Sequence, residues 1–157
     1  MPASSFSSHT SDLDEARALC HRYYYPITLD PLRGNSRLAF SFRVMELGPV
    51  TIGDLRYGCD MRVTCGDLVT SYHVNIPFSG QLDSRHRGLD VTADPGRAAV
   101  YQPVGETVLR RWSGDCRQLC LKIDRVALEN YVEAALGRPI RGPLDLGASM
   151  DNGGDRT

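Results

Sequence analysis

The chain has 157 residues, 41% apolar and 24% charged, with a formal net charge of −1. That is enough for one ordinary domain with its own core, and the near-neutral charge excludes a global attraction to nucleic acid or to an anionic membrane. No apolar run approaches the ~20 residues of a membrane span. The first ten residues lack the basic start and apolar core of a signal peptide. The five cysteines, Cys20, Cys59, Cys65, Cys116 and Cys120, form no compact framework and read as free thiols of a reducing cytosol, so the expected location is cytoplasmic.

Met1 to Thr10 reads as a disordered tail. A short helix follows, capped by Ser11 or Asp12 with Asp14 and Glu15 in its first turn. Leu13, Ala16 and Cys20 space out its apolar stripe, and Pro26 stops it by Tyr25. Tyr23 to Tyr25 lead into an extended Ile27 and Leu29, then a loop over Pro31 to Ser36. Leu38, Phe40, Phe42 and Val44 alternate as a strand that Gly48-Pro49 ends. Val50 to Tyr57 forms the next, with Gly53 as a bulge. Asp60 to Cys65 is a short strand.

The clearest alternation lies in Val69 to Gly80. Thr70, Tyr72, Val74, Ile76 and Phe78 share one parity and predict the buried face; Ser71, His73 and Asn75 share the other. From Leu82 the chain turns hydrophilic through Arg85, His86 and Arg87. Leu89 to Ala93 alternates weakly, and Asp94-Pro95-Gly96 predicts a type II turn. Ala98 to Tyr101, Val108 to Trp112 and Leu119 to Ile123 complete the strands.

The period then changes. Asp124 caps a helix from Arg125 in which Leu128, Tyr131, Val132, Ala135 and Leu136 recur at helical spacing. Gly137 and Pro139 end it. Residues 148–157 read as a flexible tail. The expected fold class is mainly β with flanking helices, the short strands forming a sandwich or barrel.

The residues that would make this an enzyme are missing. A metal-dependent β barrel holds its metal with histidines one residue apart, because alternate strand residues share a face. Here His9, His21, His73 and His86 never stand so; Asn75 takes the place beside His73. His73 therefore reads as a polar residue on the face opposite the apolar one, and no metal or cofactor is expected. No nucleophile elbow, phosphate loop or dinucleotide fingerprint occurs. Cys116 and Cys120 read as small apolar packing residues or exposed ones. The Arg85-His86-Arg87 and Arg110-Arg111 clusters read as a solvated turn and a strand end.

Tyr57, Tyr72, Tyr101 and Trp112 fall on separate strands. Such residues either fill the core or line a small-molecule cavity, which makes them the candidate ligand-binding set. The stripe of the last helix either docks on its own sheet or faces a second subunit, and the two are compatible.

Several stretches, taken in order, resemble the amino-terminal regulatory domain of AraC-family transcription regulators. They are S-D-L-D-E-A-R at Ser11 to Arg17, L-R-Y-G around Tyr57 and Y-H-V-N-I-P-F-S-G at Tyr72 to Gly80. D-P-G-R-A-A-V-Y-Q-P at Asp94 to Pro103, and R-W-S-G-D-C-R-Q-L-C-L-K-I-D with V-A-L-E-N-Y-V after it, complete the set. The resemblance covers residues 11–147. It implies a cupin-like β barrel or jelly-roll sandwich that senses a small-molecule effector, dimerises, or does both, without enzymatic activity. It also implies a homodimer through the last helix, with Leu128, Tyr131, Val132 and Ala135 as candidate contacts. A carboxy-terminal DNA-binding domain with two helix-turn-helix motifs would need ~100 further residues, so this chain alone is not expected to bind operator DNA. The competing expectations are a cupin-like binding protein or enzyme, and a truncated regulator that pairs with full-length paralogues.

Overall fold

Alternating side chains and short turns produce the strands this pattern predicts. A computed structural model describes residues 3–33 and 37–151. In chain order its elements are β1 (Ser4–Thr10), α1 (Leu13–Tyr23), β2 (Thr28–Pro31), β3 (Phe40–Leu47), β4 (Val50–Arg56) and β5 (Met61–Gly66). Then come β6 (Ser71–Pro77), β7 (Leu82–His86), β8 (Leu89–Ala93), β9 (Arg97–Tyr101), β10 (Thr107–Trp112), β11 (Arg117–Asp124), α2 (Arg125–Leu136) and β12 (Ser149–Asp151).

The strands make two antiparallel sheets, one ordered β1-β3-β4-β11-β6-β9-β12 and the other β2-β5-β10-β7-β8. Their facing sides share one core, which includes Phe40, Phe42, Tyr57, Met61, Leu82, Tyr101 and Trp112. α1 joins that core through Ala16 and Cys20. A second, small cluster of Val74, Ala98 and Val100 sits apart from it. Because β6 is hydrogen-bonded on both sides, to β11 and β9, it is the inner strand on which the site is built.

Both expected tails differ from the reading. Ser4–Thr10 pairs with β3 in register, Phe6 opposite Val44, and Phe6 stacks on Tyr23 at 5.6 Å. Ser149–Asp151 pairs with β9, and Arg97 binds Asp151 at 3.1 Å. Short polar segments show little periodicity of their own, yet backbone groups at an open sheet edge give them partners. The rest of the expected tails, residues 1–2 and 152–157, lies outside the described residues, as do residues 34–36 of the expected Pro31 to Ser36 loop.

The helix ends follow the local chemistry. Asp12 accepts from the backbone N–H of Asp14 at 2.9 Å and of Glu15 at 3.4 Å. Asp124 accepts from that of Ala127 at 2.9 Å. Gly137 ends α2 in the left-handed region, at φ 69°, where its N–H reaches the carbonyl of Glu133.

Three further expectations are corrected. Gly53 is no bulge, for it pairs in unbroken register with Cys120 and Val44. Its missing side chain instead admits the Tyr24 phenol, which occupies the space a Cβ would take. The turn at Asp94 is not type II, because Gly96 does not take a positive φ. Arg97 N–H still closes it on the Asp94 carbonyl at 3.0 Å, and the Asp94 side chain accepts from Gly96 N–H at 2.8 Å, a local bond that does not need glycine's freedom. Finally, the hydrophilic stretch after Leu82 is strand β7, with Leu82, Ser84 and His86 buried on one parity.

Candidate functional site: a polar relay in the barrel cavity

The face of β6 that looks into the barrel is the polar one. Ser71, His73 and Asn75 are buried there; His73 and Asn75 line an interior cavity of about 50 Å³. The predicted apolar parity points outward, where Tyr72 and Val74 are covered, Ile76 is half-buried and Phe78 is exposed. The reading of His73 as a residue on the outer face is therefore reversed. Alternation identifies two faces, and only the second sheet decides which of them is enclosed.

These side chains form a directed chain of hydrogen bonds. Nε2 of His73 lies 2.7 Å from Oδ1 of Asn75, and Nδ1 lies 3.0 Å from the Tyr25 hydroxyl. Burial holds the imidazole neutral, its pKa lowered to about 4. A neutral ring has one N–H, and Oδ1 can only accept, so that N–H is on Nε2 and Nδ1 accepts from Tyr25. Beside His73, with ring centroids 6.0 Å apart, Tyr101 donates to Ser84 at 2.9 Å, and Ser84 donates to the Val91 carbonyl at 3.4 Å. One run of bonds thus joins β6 to the segment after α1, and a second, packed beside it, joins β9 to β7 and β8.

The remaining wall is apolar or weakly polar. Tyr57 and Trp112 meet edge to face at 4.6 Å, Trp112 Nε1–H donates to the Cys116 carbonyl at 2.8 Å, and the Cys20 thiol sits 3.6 Å from the Tyr57 hydroxyl. Burial pushes the Cys20 and Cys65 thiols up to about 12, and raises the Tyr24, Tyr25, Tyr57 and Tyr101 phenols. All remain protonated at neutral pH. A protonated thiol is a poor nucleophile. Among the described residues no group of three His, Cys, Asp or Glu side chains comes together to hold a metal.

A second buried histidine adjoins this wall. His86 lies 2.8 Å from the hydroxyl of Thr107, a lining residue, and its Nε2 accepts the Gln102 N–H at 2.9 Å. The ring proton therefore sits on Nδ1, and burial again lowers the pKa. This corrects the reading of Arg85-His86-Arg87 as a solvated turn. Arg85 does face solvent, where it pairs with Asp90, and Arg87 reaches Gln102. Cys116 and Cys120 are both buried.

Of the four predicted ligand-binding residues, Tyr57, Tyr101 and Trp112 meet on the cavity wall. Tyr72 does not. It lies on the outer face, where its hydroxyl donates to Glu129 of α2 at 2.8 Å and accepts the Leu144 N–H at 2.7 Å. Sequence reasoning missed Tyr24, Tyr25, His73, Asn75 and Thr107, which also line the cavity. The available signal was Tyr24-Tyr25 ahead of Pro26, where a stopped helix leaves two rings to be placed. Of the predicted dimer residues, Leu128 and Val132 are half-buried, while Tyr131 and Ala135 are exposed. No α2 side chain is fully buried.

The chain is 38% identical over 144 residues to the probable thc operon regulatory protein of Rhodococcus erythropolis, an alignment covering 90% of this chain and 43% of that protein. The chain therefore spans less than half the length of that relative. The fold superposes on the crystal structure of the AraC-like transcriptional activator CuxR with a TM-score of 0.68 at 14% identity, over 85% of this chain and 52% of that one. A cupin 2 conserved barrel domain protein from Salinispora arenicola overlaps with a TM-score of 0.42 at 9% identity, over 72% of this chain and 88% of that one. The mainly β fold of two antiparallel sheets with two flanking helices agrees with the fold class the sequence predicts. The family model described as the AraC-binding-like domain matches residues 16–156, and the chain belongs to that family of transcription-regulator domains.

Proposed function

We propose that this domain senses a small-molecule effector in its barrel and passes the occupancy of the cavity to α2, through which two copies associate. The observation that carries the reading is the double role of β6. His73 and Asn75 face the cavity, while the adjacent Tyr72 holds Glu129 of α2 from the other side of the same strand. An effector that binds one arrangement of β6 more tightly than another shifts the position of α2 by that difference in affinity. The protein acts without chemistry of its own. The cavity thiols are protonated, and both ring nitrogens of His73 are engaged. It works in the cytoplasm and needs no cofactor. Any contact with operator DNA is made by parts of a regulator other than this domain.

The association surface is the outer side of α2, where Tyr131 is 73% exposed and Leu128 and Val132 are partly so. Sedimentation of the wild-type chain and of a Leu128→Asp, Val132→Asp variant tests this. The expected result is a dimer that the double substitution converts to folded monomer. A dimer that survives both charges sinks the assignment of α2.

A further inference from the structure

The effector reading leaves open what the cavity accepts, and the wall of the cavity restricts the answer. No Asp, Glu, Lys or Arg lines it. A cation beside this wall, Lys122, is already engaged: its amine binds the Tyr24 carbonyl at 3.0 Å and lies over the Tyr25 ring at 5.3 Å. A carboxylate in the cavity would find no cation, and an ammonium no anion, so either would bear its full desolvation cost. Among the described residues every buried side-chain nitrogen or oxygen already has a partner. A polar ligand must therefore take the place of one of those partners.

The partner that can be replaced is Tyr25. Ser71, Asn75, Ser84 and Tyr101 sit on strands held by sheet ladders. Tyr25 sits beyond the end of α1 and outside every strand, just before Pro26. Its backbone N–H bonds the Cys20 carbonyl at 3.2 Å, while its side chain is held only through the hydroxyl, the Lys122 amine over the ring and packing. What it leaves exposed on departure is Nδ1 of His73, a bare acceptor, and only a hydrogen-bond donor can satisfy that atom. The cavity as it stands holds a few waters; movement of the Tyr25 ring makes the room for anything larger.

Building on the effector reading, we propose that the cavity takes a small uncharged molecule carrying one hydroxyl or N–H group. This group replaces the Tyr25 phenol on Nδ1 of His73, while the apolar remainder packs against Leu55, Tyr57 and Trp112. Binding then frees the end of α1, so occupancy is written into the position of Tyr25.

The chain's single tryptophan is Trp112, and it lines the cavity, so its fluorescence reads occupancy directly. Four probes of one ring size, none of them absorbing with tryptophan, separate the alternatives: cyclopentanol, cyclopentane, cyclopentylamine and cyclopentanecarboxylate. Cyclopentanol should give a saturable shift, about fivefold tighter than the hydrocarbon and more than about tenfold tighter than either charged probe. Tyr25→Phe removes the competing hydroxyl and should tighten cyclopentanol binding by about fivefold. His73→Phe should make alcohol and hydrocarbon equal. The proposal is overturned if hydrocarbon or a charged probe matches the alcohol in the wild-type chain, if Tyr25→Phe leaves the alcohol affinity unchanged, or if no probe gives a saturable shift. A charged probe that saturates would end the uncharged class and leave effector sensing standing, whereas the role of α2 is decided separately by sedimentation.

Discussion

The two helices are nearly twins in sequence logic and opposites in structure. α1 has 11 residues and α2 has 12, and each begins on an Asp whose carboxylate caps the first turn. α1 buries Ala16 and Cys20 in the main core, and the residues after it, Tyr24 and Tyr25, reach the cavity wall. α2 buries nothing. It is tied to the barrel by polar bonds, the Tyr72 hydroxyl to Glu129 at 2.8 Å and the Arg125 N–H to the Thr70 carbonyl at 2.8 Å. A cap is a contact between near neighbours in the chain, so it depends little on where the helix lies. Burial depends on what the helix meets. One helix thus belongs to the barrel's interior and the other remains available on its surface.

The largest test of that contrast is to place a charge in each helix. Ala16 is 0% exposed, so Ala16→Glu should cost several kcal/mol, about 4 or more, in urea unfolding. Ala134→Glu, at an exposed position of α2 outside the candidate contacts, should stay within about 0.5 kcal/mol. A comparable loss at both positions would erase the distinction.

The interior that α1 closes should also respond to acid. His73 is held at about 4 in the folded barrel against 6.5 for the free residue. Between these values the unfolded chain binds a proton that the native one refuses, so stability falls as the pH drops from 6.5 toward 4. The loss is about 3 kcal/mol. The lowered pKa of His86 acts with the same sign. Denaturation measured across that window should show the slope, and His73→Gln should flatten most of it; an unchanged slope would mean that the buried imidazole is not its source.

A smaller effect is expected at Gly53. Gly53→Ala would put a methyl group where the Tyr24 phenol donates to the Cys120 carbonyl at 2.9 Å. It should destabilise the chain by about 1–3 kcal/mol, and Tyr24→Phe in the same chain should relieve part of that cost. Smallest of all, Asp12→Ala and Asp124→Ala should each lose about 1 kcal/mol. Similar losses at the two caps would show that the helices differ in packing and not in how they start.

Much of the fold was legible in the sequence because its signals are short-range. The alternation at Phe40 to Val44 and at Leu119 to Ile123, the Asp caps, the Pro26 stop and the Gly137 end all act within a few residues. The AraC-binding-like resemblance rested on such pieces in order. Of the four residues read as candidates by the same means, Tyr57, Tyr101 and Trp112 stand on the cavity wall, Tyr57 just past the end of β4. What escaped were pairings across the molecule. β1 is a strand because β3 offers its edge, and Gly53 is a glycine because a tyrosine 29 positions earlier in the chain lies against it.

The deepest division lies in β6. Its sequence determined that Tyr72 and Val74 would share one face and His73 and Asn75 the other, because side chains alternate along a strand. Only the tertiary structure decided that the polar face would be enclosed. The outer apolar face found cover against α2, the C-terminal segment and the cluster of Val74, Ala98 and Val100. The polar face could go inside because His73 and Asn75 bond each other and Tyr25, brought from a distant part of the chain, bonds the other ring nitrogen of His73. A buried polar group is stable where its partners are, and a sequence read one strand at a time does not show where those partners stand.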